Sequence, residues 1–167
     1  HYENMSIALA ESLANAGQGP IYKMAFGNGG TAVDPTGIIT YLTPNSTGTN
    51  ASLYNQTFAK VVDDQASNNT DPVRNKIETR HVSGTNYTDI LVSCLLDYGE
   101  PSGQDAFDTT TNTENLYVFD ELGLISAGAS GADGRLLTHV IFHPVQKSLN
   151  RLIQIDYTVR VQSLTGF

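Results

Sequence analysis

The run Leu152-Ile-Gln-Ile-Asp-Tyr-Thr-Val-Arg-Val161 decides the fold class of this chain. From Ile153 onward, Ile153, Ile155, Tyr157, Val159 and Val161 alternate with Gln154, Asp156, Thr158, Arg160 and Gln162. Strict period-two alternation over this length specifies a β-strand with one buried and one wet face. The run Thr138 to Phe142, upstream, is the expected partner. The link between them, Pro144 to Asn150, is too short for a parallel crossover, so the two runs are expected to pair antiparallel.

Lys76 to Val82 and Thr88 to Leu96 flank Ser83-Gly84-Thr85-Asn86, a strand, turn, strand signature for a hairpin. Ile90, Val92, Cys94 and Leu96 share one face, and the other face is also largely apolar, which predicts a central strand. Ile21 to Phe26 reads as a short strand ended by Gly27-Asn-Gly-Gly30, and Leu116 re-enters the sheet after a polar excursion from Tyr98 to Asn115. Phe58 to Asp63 is compatible with a strand or a helical turn. At the front, Tyr2, Met5, Leu9, Leu13 and Ala16 fall at helical spacing, with Ile7, Ala10 and Ala14 widening the stripe and Gly17 closing it. An isolated helix of this length is marginal in water, so the stripe needs a cover, either its own domain or a neighbouring subunit. The expected architecture is all-β: a mainly antiparallel β-sandwich, residues 20–167, preceded by an N-terminal helical arm, residues 1–19, with long loops.

Composition narrows the function. A chain of 167 residues buries roughly 70% of its unfolded surface and needs no metal or disulfide to be stable. The net charge of -8, with its basic residues scattered singly, argues against nucleic acid, which calls for clustered Lys and Arg. No apolar run approaches the roughly 20 residues that span a bilayer, and no signal peptide opens the chain. The chain opens at His1 rather than Met, which reads as a missing or processed N-terminus. The single cysteine, Cys94, reads as a small buried hydrophobe. Asn45, Asn50, Asn55, Asn68 and Asn86 match the N-x-[ST] pattern, here a coincidence of an Asn- and Thr-rich composition.

Chemistry-bearing motifs are sparse. The glycine cluster Gly27 to Gly30 lacks both phosphate-binding patterns and reads as a turn. Asp97, Glu100, Asp105 and Asp108 could together suit calcium, but their spacing matches no EF-hand loop, and a solvated acidic loop is expected. His139 and His143 have the spacing that pairs zinc ligands on a helix, yet on a strand four residues span about 13 Å, which separates the imidazoles. Asp120 and Glu121, adjacent on a strand, should point to opposite faces and so not share an acid/base role. No catalytic residue, cofactor or metal site is expected, and the chain is not expected to be an enzyme.

Three segments resemble the attachment domain that opens many tail-fibre and collar-fibre proteins of tailed bacteriophages. Ile21 to Gly30 resembles its opening strand and glycine-rich turn, and Phe119-Asp-Glu-Leu-Gly-Leu124 its acidic element. Phe142-His-Pro-Val-Gln-Lys147, followed by the alternating strand, is similar to its closing pattern. The resemblance implies a virion structural protein of the tail, neck, collar or baseplate, assembled in the host cytoplasm. A fibre would continue into a shaft, whereas this chain ends at Phe167, which suits a ring, collar or adaptor subunit better. The expected partners are other copies, forming a homo-oligomeric ring, and neighbouring phage head, neck, tail or baseplate proteins. Ring subunits that contact head to tail need two different complementary surfaces. Tyr2, Met5, Leu9 and Leu13 of the helix, with Phe119, Leu122 and Leu124, are the expected interaction residues for one, and the long loops for the other. A head decoration protein and a carbohydrate-binding module are the alternative readings, the latter weakened by the absence of Trp.

Overall fold

A computed structural model of the chain describes residues 1–102 and 118–164. In chain order these form α1 (Tyr2–Leu13), β1 (Ile21–Gly27), β2 (Thr31–Val33), β3 (Ile39–Tyr41), β4 (Gln56–Val61), β5 (Lys76–His81) and β6 (Tyr87–Leu96). After the undescribed segment come β7 (Val118–Ala127), β8 (Asp133–Leu136), β9 (Val140–Gln146) and β10 (Ile153–Gln162). The fold is mainly antiparallel β with one N-terminal helix, as its alternating segments dictate. One sheet has the order β4-β1-β7, with β8 and β9 both pairing the far side of β7; the other has the order β10-β6-β5. A short hairpin, β2 with β3, forms a ladder of its own.

The β5–β6 hairpin forms as its turn sequence requires, with Ile77 opposite Val92 and Arg80 opposite Asp89. The segment 56–61 resolves to a strand, β4, along the free side of β1. The expected pairing of the two closing runs does not form. β9 pairs with β7, and β10 pairs with β6 in an unbroken register from Ile153 opposite Leu96 to Gln162 opposite Tyr87. The link between β9 and β10 is therefore an arch from one sheet to the other rather than a hairpin, pinned by the buried Lys147 and Ser148. The physical reason is that β6, apolar on its inner face from Ile90 to Leu96, gains a full-length partner in β10, whereas β9 is interrupted by a register shift near Pro144.

The inner faces meet in one core of Met24 and Phe26 from β1, Val92, Cys94 and Leu96 from β6, and Phe119, Leu122 and Leu124 from β7. Phe26 sits between Phe58 and Phe119, with ring centroids 6.2 and 5.3 Å away. Cys94 is fully buried there, and desolvation pushes its thiol up to about 12, so it is held as an inert apolar side chain. A smaller cluster, Ala25, Leu53, Ile125 and Leu136, lies elsewhere and is closed by the loop that carries Leu53.

α1 ends at Leu13, a turn earlier than its apolar spacing predicts, and it lies on its own body rather than projecting. Ala8 enters the main core, the Asn4 amide donates to the Leu136 carbonyl at 2.8 Å, and Glu11 pairs with Arg135. Gly19 permits the close approach: a Cβ there would come within 2.5 Å of the Ala8 carbonyl oxygen, and its φ of +111° disfavours any side chain.

Candidate functional site

Phe119 and Leu122 both point into the inter-sheet core. On a regular strand, residues three apart face opposite ways, so β7 is irregular between them, where its register with β9 shifts. The consequence is that Asp120 and Glu121 reach the same place. Asp120 accepts from the Gly30 amide (2.8 Å), the Thr31 amide (2.9 Å) and the Thr31 hydroxyl (2.6 Å). Glu121 accepts from the amides of Gly29 (2.8 Å), Tyr54 (2.7 Å) and Asn55 (3.3 Å). The expectation that the adjacent carboxylates diverge is thus corrected: both converge on the glycine turn.

His139 completes the cluster. Its Nδ1 accepts from the Asn45 amide at 2.8 Å, which places the ring proton on Nε2, and Nε2 donates to Glu121 Oε1 at 3.2 Å. The side chains of Glu121 and His139 are both fully buried, with the Tyr54 ring tilted against the imidazole at 5.4 Å. The turn itself has no room to spare. A Cβ on Gly27 would lie 2.3 Å from the Asn55 carbonyl oxygen, so the loop backbone rests directly on the strand end. Chemically this is an anion cradle of backbone amides filled by the chain's own carboxylates, a latch that fastens the loop between β1 and β4 to β7.

Burial pushes the Glu121 carboxyl up, but the His139 hydrogen bond and the three loop amides outweigh it and hold the group below its ordinary value. A carboxyl depressed in the folded state stabilises the fold above its unfolded pKa of about 4.3, and that contribution is lost as pH falls through the folded value. Urea midpoints measured from neutral pH downward should therefore show Glu121→Gln much weaker than wild type at pH 7, with the gap closing in acid below the ordinary carboxylate range. A gap independent of pH would remove the ionised Glu121 from the latch.

The chain matches no protein-family model, no curated protein and no solved structure. Its surfaces must therefore be read from their own chemistry.

His143 is exposed, away from the buried His139. Among the described residues no group of three or more His, Cys, Asp or Glu could hold a metal ion. Of the acidic segment, Asp105 and Asp108 lie outside the described residues. Glu100 pairs with Lys60 and accepts from the Asp97 amide. Lys147, from the closing pattern, is buried at 1% exposure and donates to the carbonyls of Tyr98 and Ser148; desolvation lowers its pKa. The side-chain amides of Asn45, Asn55, Asn68 and Asn86 are donors in hydrogen bonds within the chain. Among the described residues, no helix is long and apolar enough to cross a membrane.

An apolar slot of about 150 Å³ opens between the sheets, lined by Phe26, Phe119, Phe142, Val145, Ile153 and Ile155 among others. Of the interaction residues expected from sequence, Phe119, Leu122 and Leu124 are 2%, 7% and 0% exposed and belong to the core, so they offer no surface. Met5 packs against that core. Tyr2, Leu9 and Leu13 do the opposite, at 91%, 48% and 80% exposed. Positions 2, 9 and 13 fall within about 20° of one helical line, opposite the buried Asn4 and Ala8. α1 docks through its small and polar face and turns its large apolar stripe outward. A second apolar surface lies on the β2–β3 hairpin and the residues beside it, where Val33, Ile38, Tyr41 and Leu42 are exposed. Asp34 shapes that hairpin by accepting from the amides of Thr36 and Ile38.

Proposed function

We propose that this chain is a non-enzymatic structural subunit of a tailed-phage particle. In this reading it forms or joins a symmetric ring in the neck, collar, tail or baseplate and fastens neighbouring components such as fibres. The observation that carries an assembly role is the orientation of α1. A helix that spends Asn4 and Ala8 on its own body while presenting Tyr2, Leu9 and Leu13 to solvent has an uncovered apolar stripe, and such stripes mark protein contacts. The exposed hairpin around Val33 and Tyr41 supplies a different apolar surface. Two unlike surfaces on one subunit are what head-to-tail ring contacts need. The kind of particle is suggested by the resemblance of the glycine turn, the acidic element and the closing strand to fibre attachment domains. That the first two of these are hydrogen-bonded into one latch supports reading them as a unit.

The test is a double substitution on the outward stripe, Leu9→Glu with Leu13→Glu. Both side chains are solvent-facing, so thermal stability should change by no more than about 1 kcal/mol. Incorporation into particles, or ring formation on the neighbouring component, should be lost. Normal incorporation of a folded double variant would sink the assembly role of α1.

A further inference from the structure

We propose that β10 is a dimerisation edge that pairs antiparallel with β10 of a second copy, about a two-fold axis at Thr158. β10 hydrogen-bonds β6 on one side; on the other, no strand pairs with it among the described residues. Exposed edges are normally blunted by proline, bulges or short length. β9 carries Pro144 and a register shift, but β10 runs ten residues without glycine, proline or any break in register.

The occupant is read from the charge pattern. An antiparallel pair centred on residue 158 sets Asp156 opposite Arg160 of the second copy, twice by symmetry, and Gln154 opposite Gln162. Centring on Tyr157 or Val159 leaves both charges facing uncharged residues. Centring on Asp156 or Arg160 sets like charges together. Only the axis at Thr158 matches opposite signs, the arrangement that favours cross-strand pairs.

The neighbouring strands extend that match. Arg160 is held by Asp89 on β6, at 2.8 and 3.1 Å, and lies 3.8 Å over the Tyr87 ring, so little side-chain freedom remains to be lost on pairing. Across the joined sheet the row would read Arg80, Asp89, Arg160, then Asp156 of the second copy, alternating in sign throughout. On the inner face the same register sets Val161, 39% exposed, opposite Ile155 of the other copy, beside the apolar slot that Ile153 and Ile155 line. Ile153, Ile155, Tyr157 and Val159 face the core yet are only half-buried, and a second β10 alongside would cover them further. This two-fold contact is separate from the α1 stripe and does not rest on the ring reading.

Sedimentation of the full chain from low to high micromolar concentration should show a monomer–dimer equilibrium. Amide exchange in residues 153–162 should slow as concentration rises. Asp156→Arg sets arginine against Arg160 and, being exposed, should fold with an unchanged melting temperature while weakening dimerisation about tenfold or more. The Leu9→Glu, Leu13→Glu variant should dimerise like wild type, which separates this contact from the one proposed for α1. A chain that stays monomeric throughout with no concentration-dependent protection overturns the proposal, as does a dimer that Asp156→Arg leaves intact.

Discussion

Replacing Glu121 with alanine should cost about 3–5 kcal/mol, among the largest effects of any single substitution in this chain. The side chain is fully buried and accepts from the His139 imidazole and from the amides of Gly29, Tyr54 and Asn55. Its removal leaves several donors facing a hole rather than water, and each unsatisfied buried group costs about 1–3 kcal/mol before relaxation. At this chain length the melting temperature should fall by about 10 °C. The loop from Asn28 to Asn55 should also become the preferred site of limited proteolysis, because the latch is what ties its backbone to β7. Glu78→Ala, which removes an exposed partner of Lys76, should shift stability by no more than about 0.5 kcal/mol. A loss below about 1 kcal/mol for Glu121→Ala, by calorimetry or chemical denaturation, would mean the loop is held elsewhere.

Phe26→Ala should cost about 4 kcal/mol. Phe26 is 2% exposed and bridges the rings of Phe58 and Phe119, so the substitution removes one of the largest buried apolar side chains together with two aromatic contacts. The void would merge with the slot beside it, which Phe26 itself lines. Collapse of the sheets could recover part of the loss only by moving β1, which is pinned on both sides by β4 and β7. Phe26→Leu keeps most of the volume and should cost about 1–1.5 kcal/mol. Equal effects of the two substitutions, measured by urea denaturation, would show that the core is not closed around this ring.

Much of the secondary structure was legible because it is local. The alternation from Ile153 to Gln162 names its own inner face, and Ile153, Ile155, Tyr157 and Val159 do turn toward the core. The β5–β6 hairpin is written in its turn, and the two-sided apolarity of β6 correctly placed it between two neighbours. Pairing was less legible, because a strand's pattern gives its faces but not its partners. β10 chose β6 over β9 through the chain's need to complete the second sheet.

The latch was missed for a related reason. Alternation assumes a regular strand, and one irregularity between Phe119 and Leu122 puts two neighbouring carboxylates on one job. The signal available was chemical: two adjacent acids within an otherwise apolar run must be satisfied if buried, and a glycine turn offers bare amides. For α1 the apolar spacing leaves open whether its own domain or a neighbouring subunit covers the stripe, because periodicity marks the stripe but not the face that docks. Close packing against β8 favoured the small Ala8, and the Asn4 amide found the Leu136 carbonyl.

An all-β chain with a short leading helix, its strand segments and the faces of the regular ones all follow from periodicity, glycine and chain stiffness over a few residues. Tertiary structure alone decided which strands pair, which way α1 faces, and that Asp120, Glu121 and His139 close on the turn at Gly29 to Thr31. Those choices depend on contacts between residues 18 to 132 positions apart, where burial and hydrogen-bond satisfaction are settled for the whole molecule at once.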